Sequence, residues 1–176
     1  MAESSEFRCK SIGTVEFGLS EDKKETNSRY ETLSQIRIFD EYKEGLTGLK
    51  EYSHVVILWW MHRAGSLVLK VNPFHQQENS VGIFASRFPR RVNPIGMSIV
   101  ELVAVDDCSL KVKGFDAWTG TPILDIKPYD YYDIVKSPRT PEWFRRFWAE
   151  HSVMRRYAQT VPWLGPTNFA FKIDLP

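Results

Sequence analysis

The order of short β-prone segments constrains this chain more than any single residue does. "SIGTVEF" (Ser11–Phe17) reads as a strand, and "SQIRIFD" alternates Ile36 and Ile38 with polar neighbours, the period of two that a half-buried strand shows. "HVVILWWMH" is an unbroken β-branched and aromatic run, which predicts a fully buried strand. "SLVLKV" and "VGIFAS" are shorter strand candidates. "IGMSIVELVAVDDCSLKVKGF" reads as a hairpin, with a turn at Asp106–Asp107 and a return strand in which Leu110 and Val112 alternate with Lys111 and Lys113. "TPILDIKPY" adds one more strand, stopped by Pro128 because proline cannot donate to a ladder. About six or seven closely spaced strands favour a small β-barrel or curled sheet over a βαβ fold. The expected class is mainly β and not Rossmann.

Two short segments break the β pattern. "EYKEGLTGLKEYS" places Gly45 and Gly48 among apolar residues and reads as one or two helical turns with glycine stops. "SPRTPEWFRRFWAEHSVMRRYAQT" predicts an amphipathic helix, with Thr140 as N-cap and Pro141 at the first helical position. Trp143, Phe147, Met154 and Ala158 share one face of it; Arg145 and Arg156 share the other. In the tail, Phe169, Phe171 and Ile173 alternate like an edge strand, while residues 18–32 read as a polar loop. The expected division is a barrel domain over 1–136, with a helix and tail over 137–176 packed on it.

At 176 residues the chain can bury a core of its own. Its net charge is +1, so a nucleic-acid surface requires a local cluster of cations. Cys9 and Cys108 have neither C-x-x-C nor metal spacing, which suits a reducing compartment. The N-terminus lacks the basic and apolar regions of a signal peptide, and the longest apolar run, Val55–Met61, falls well short of about 18 residues. These features lead to the expectation of a cytoplasmic protein with no membrane segment.

Common chemical signatures are absent. The sequence has no P-loop, no dinucleotide-binding glycine motif, no H-E-x-x-H and no G-x-S-x-G. His54 and His62 are about 26 Å apart on a straight strand, too far to share a metal, and no metal is expected. Two loops carry the remaining chemistry. In "SRFPRRVNPIG", Pro89 and Pro94 stiffen the backbone, Gly96 permits close approach, and Arg87, Arg90 and Arg91 offer guanidinium forks for carboxylate or phosphate. In "FDAWTGTPILDIKPY", Asp116 and Asp125 flank Gly120, and Trp118 is the tryptophan expected to face a ligand; Trp59 and Trp60 are expected to pack.

Taken together and in this order, "GIFASRFPRRVNPIGMSIVELV" and "GFDAWTGTPILDIKPY" resemble the two signature blocks of the TsaA-like family, also called YaeB or TrmO. "GLKEYSHVVILWWMHR" resembles the segment that precedes them, so the likeness covers roughly residues 10–133. Within the blocks, Phe88 replaces a serine, Val92 a proline and Thr119 an aspartate. The resemblance implies a dimeric small-barrel methyltransferase that uses S-adenosyl-L-methionine on N6 of threonylcarbamoyladenosine beside the tRNA anticodon. It implies a cofactor pocket lined by Arg87, Pro89, Arg90, Asn93, Pro94, Ile95, Gly96, Thr121 and Lys127.

The reaction so implied is an in-line displacement in which a base accepts the N6 proton. Asp125, Asp116 and Tyr129 are the candidate bases. Arg87 or Arg90 is assigned to a carboxylate, and Arg91, Arg145 and Arg156 to tRNA phosphates. Two alternatives are the same chemistry on another acceptor, a small molecule or a different RNA, and a non-catalytic module that binds S-adenosyl-L-methionine.

Overall fold

The structure, a computed structural model, describes residues 6–20, 32–73, 80–135 and 138–150. Six antiparallel strands close into a barrel: β1 (Gly13–Phe17), β2 (Leu33–Ile38), β3 (His54–Trp60), β6 (Ile95–Asp106), β7 (Ser109–Lys113) and β8 (Pro122–Pro128). The order around the wall is β1-β2-β7-β6-β3-β8, and pairing of β1 with β8 closes it. A separate two-stranded ribbon joins β4 (Lys70–Val71) to β5 (Val81–Gly82). The chain divides into two compact units, one holding the barrel and ribbon, the other holding residues 72–80 and 131–176.

Alternation along the strands fills the barrel. Ile36, Ile38, Val55, Ile57, Val100, Leu110, Val112 and Ile123 are all buried in its core, and Phe115 and Ala117 join them from the segment before β8. The closed wall needs bends, and the register shifts supply them at Val15/Phe17, Leu58/Trp59 and Leu102/Ala104. At the first, Glu16 is the extra residue, and its carboxylate accepts from Gln35 Nε2 at 2.9 Å.

Several local expectations change. β3 is not fully buried: Val55 and Ile57 point inward, but Val56 and Leu58 are only partly covered on the outside of the barrel. A closed barrel has one interior, so alternate residues of even an all-apolar strand must face out. "SLVLKV" contributes only Lys70–Val71, and "VGIFAS" pairs over Val81–Gly82 before a 3₁₀ turn at Ile83–Ala85. The hairpin, the stop at Pro128 and the helical turns at Asp40–Leu46 and Leu49–Glu51 match the sequence reading. Gly48 lies between those turns at φ 81°, a conformation glycine adopts without strain.

In the second unit, helix α1 spans Glu142–Glu150. The Arg145 amide donates to Pro141 O at 3.1 Å, so Pro141 occupies the cap and the helix begins one residue later than Thr140 would set it. Arg145 is exposed, and Arg146 pairs with Glu142 one turn back. Arg156, Met154, Ala158 and the tail strand lie outside the described residues. No helix among the described residues is long and apolar enough to cross a membrane.

Candidate functional site

The site grows from the end of β3. Trp59 pairs with Gly96 and with Ile123, so one residue touches the start of β6 and the start of β8. Its ring lies directly over Gly96: a Cβ there would meet Trp59 Cε2 at 2.2 Å. The missing side chain of Gly96 therefore serves packing against tryptophan. The same indole stands edge-on to Phe115 at 5.8 Å and donates from Nε1 to Ser98 Oγ at 3.2 Å. Beyond β3, the Met61 amide donates to Pro94 O at 2.7 Å, and His62 Nδ1 lies 3.4 Å from the buried Thr121 hydroxyl. Arg63 stacks over Trp118 with its guanidinium carbon 4.8 Å from the ring centroid. Both loops thus converge on Trp59–Arg63, although the first starts 29 residues before the second, at Arg87 against Asp116 (116 − 87).

The three arginines of the first loop take different parts. Arg91 Nη1 donates to Ile83 O at 3.0 Å and Ser86 O at 2.7 Å, so it pins the loop. Arg90 Nε donates to Ser66 O at 2.7 Å while its carbonyl accepts from Val68, tying the loop to the 61–69 segment. Arg87 is exposed and makes no hydrogen bond or ion pair within the described residues. Pro89 and Pro94 are half-buried, Asn93 and Ile95 exposed, and the Asn93 carbonyl accepts from the Ile95 amide at 2.8 Å.

The second block is divided by its own geometry. Asp116, Trp118, Gly120 and Thr121 lie at the Trp59 end, where Gly120 turns at φ 83°. β8 then carries the rest away along the wall: Asp125 pairs with Leu58, Lys127 with Val56 and Pro128 with Val55, and Tyr129 stands edge-on to His54 at 6.5 Å. The seven residues of β8 separate Thr121 from Tyr129, eight steps and about 26 Å at the usual rise. Asp125 accepts from Lys127 Nζ at 2.6 Å and from the Ile126 amide at 2.9 Å, and lines a cleft with Tyr42, Glu41 and Glu44. Of the three candidate bases, Asp116 follows Phe115 at the Trp59 end, whereas Asp125 and Tyr129 lie farther along β8. Arg63 was not singled out from the sequence, and His62 was weighed only as a metal ligand; their contacts with Trp118 and Thr121 arise across the fold, for which spacing gives no signal.

A closed single-sheet barrel with both signature loops gathered at one end defines the class: a TsaA-like small-barrel protein. The family model described as the tRNA-methyltransferase O N-terminal domain matches residues 22–134, and the chain belongs to that family. An S-adenosyl-L-methionine-binding protein of Archaeoglobus fulgidus is 38% identical over 122 residues, covering 68% of this chain and 87% of the relative. A human tRNA (adenine(37)-N6)-methyltransferase is 40% identical over 95 residues, covering 53% of this chain and 22% of that protein. A probable S-adenosyl-L-methionine-binding protein, also of Archaeoglobus fulgidus, is 46% identical over 95 residues, and the match spans only 26% of its length. The crystal structure of TrmO from Pseudomonas aeruginosa superposes with a TM-score of 0.63 at 28% identity, over 88% of this chain and 77% of that one.

Proposed function

We propose that the barrel binds S-adenosyl-L-methionine at the Trp59 end and methylates N6 of threonylcarbamoyladenosine beside a tRNA anticodon, in the cytoplasm. The observation that carries this reading is the convergence of both signature loops on Trp59–Arg63 in a chain of this family. The donor set fits the cofactor. Arg87, exposed and with no hydrogen bond or ion pair among the described residues, offers its guanidinium to a carboxylate, and the Trp118–Arg63 stack offers an aromatic edge of the pocket to an adenine. When bound, the cofactor supplies an electrophilic methyl group on positive sulfur.

The chain's own residues orient the acceptor and manage its proton. An N6 that carries a carbamoyl group is a weak nucleophile, because its lone pair is delocalised. Asp116 accepts the N6 proton as the C–N bond forms, which typically contributes 10²–10⁴-fold. Loop rigidity from Arg91 and the prolines keeps the acceptor near attack distance and limits water.

The reading includes a homodimer. On the outer face of β6, Ile95, Met97, Ile99 and Val103 are exposed, and Val56, Leu58 and Trp60 of β3 flank them. From Ile95 to Ile99 that is an apolar stripe, ended by the exposed Glu101, of the kind that mates with a second copy. Asp125, Lys127 and Tyr129 contribute to the same site only if that copy presents its β8 there. Arg145 and Arg156 remain phosphate contacts in this reading.

Incubation with methyl-labelled S-adenosyl-L-methionine and total RNA, followed by digestion to nucleosides, tests the reading. Label in an N6-methylated threonylcarbamoyladenosine supports it. Tight cofactor binding without labelled RNA leaves the second reading, a binding module, which the name of the relative covered over 87% of its length favours.

A further inference from the structure

The segment from Met61 to Val100 has an uneven charge balance. It carries Arg63, Lys70, Arg87, Arg90 and Arg91 against a single carboxylate, Glu78, in a chain of net charge +1. Among its described residues, the same segment holds two aromatic rings that the core does not use: Phe84 is 79% exposed and Phe88 41% exposed. Both stand on a braced backbone. Ile83 is 1% exposed and anchors the 3₁₀ turn, its amide donating to Leu69 O at 2.9 Å. Ser86 Oγ donates to Ile83 O at 3.0 Å and accepts from the Phe88 amide at 3.3 Å. Arg91, which binds the Ile83 and Ser86 carbonyls, also lies 5.9 Å from the Phe84 ring. Phe84 follows Ile83 on the solvent side of this turn.

We propose that Phe84 and Phe88 form a stacking platform for the unpaired bases of an RNA loop, with Lys70 and the surrounding arginines facing its phosphates. Fixed aromatic faces inside a carboxylate-poor cationic surface are what single-stranded nucleic acid requires, since every base has a π-face and every nucleotide a negative charge. A purely apolar partner would leave the exposed Arg87, which makes no hydrogen bond or ion pair among the described residues, without a counter-charge. The inference rests on the tRNA reading above and adds a base-stacking surface on the barrel unit to the phosphate contacts of Arg145 and Arg156.

The test is fluorescence anisotropy of an end-labelled anticodon stem–loop RNA titrated with the whole chain, beside calorimetric titration of S-adenosyl-L-methionine. Phe84→Ala and Phe88→Ala each weaken RNA binding about tenfold, Phe88→Trp retains it, and cofactor affinity stays within about twofold. Unchanged melting temperatures confirm that the exposed rings were removed without unfolding. If wild type binds the RNA and both alanine variants bind it equally well, the platform is overturned while the tRNA reading stands. A parallel loss of cofactor affinity also overturns it, assigning the rings to the cofactor pocket, as does a change in sedimentation, assigning them to a second copy. Wild-type protein that binds no RNA overturns the tRNA reading itself.

Discussion

The two ends of the barrel handle charge in opposite ways. At the β6–β7 turn, charges are paired locally: Arg37 meets Asp40 at 2.7 Å, Lys43 lies 3.6 Å from Asp107, and the Cys108 thiol donates to Asp107 at 3.3 Å. The thiol's hydrogen bond, reinforced by Lys43, holds the Asp107 carboxyl below its usual range. Burial, reinforced by Asp107, pushes the Cys108 thiol above its own. At the Trp59 end, Arg90 and Arg91 spend donors on backbone carbonyls, and Arg87 meets no carboxylate or carbonyl among the described residues. One end uses charge to close a turn; the other uses it to stiffen a loop and leaves positive potential facing solvent.

The sharpest break of this comparison is catalytic. Asp116→Asn is expected to lower kcat for methyl transfer by 10²–10⁴-fold, and Asp125→Asn by less than about tenfold, since its carboxylate lines the cleft beside Tyr42, Glu41 and Glu44. Equal losses in both would move the chemistry onto β8; restored activity on mixing the two variants would mark a site shared between copies. Next in size, Ile57→Ala in the shared core is expected to cost about 2–5 kcal/mol in denaturant unfolding without favouring either end. Gly96→Ala acts only at the Trp59 end. It drives the indole off Phe115 and Ser98 and is expected to cost about 1–3 kcal/mol, with a change in tryptophan fluorescence.

The smaller effects belong to the other end and depend on pH. Asp107 titrates below its unfolded value, so its contribution is present above about pH 4 and is lost as pH falls through the folded value. Asp107→Asn should flatten the acid limb of melting temperature against pH. Cys108 titrates above its unfolded value, so its contribution is present below about pH 8.5 and is lost as pH rises. Cys108→Ala should flatten the alkaline limb. Smallest of all, Asp40→Ala removes an exposed ion pair and is expected to change stability by about 1 kcal/mol or less.

Local pattern was enough wherever local physics decides. Alternation at Ile36/Ile38 and Leu110/Val112, the Asp106–Asp107 turn and the stop at Pro128 each follow from a few neighbouring residues. The all-apolar run of β3 could not reveal which residues face out, because every position in it tolerates burial. The candidate site was legible as two motifs but not as a geometry. Asp116, Asp125 and Tyr129 lie close together in the sequence, yet a strand advances about 3.3 Å per residue and carries the latter two down the wall.

The sequence by itself determined a mainly β chain, two signature loops and a surplus of arginine in one of them, because composition and period-two patterning act over short distances. Only the tertiary structure decided that Gly96 makes room for Trp59, that Arg63 reaches Trp118, and that Arg91 holds a loop while Arg87 is left outward. Those outcomes depend on barrel closure, which brings residues far apart in sequence within contact range and makes each side chain compete for a limited set of partners.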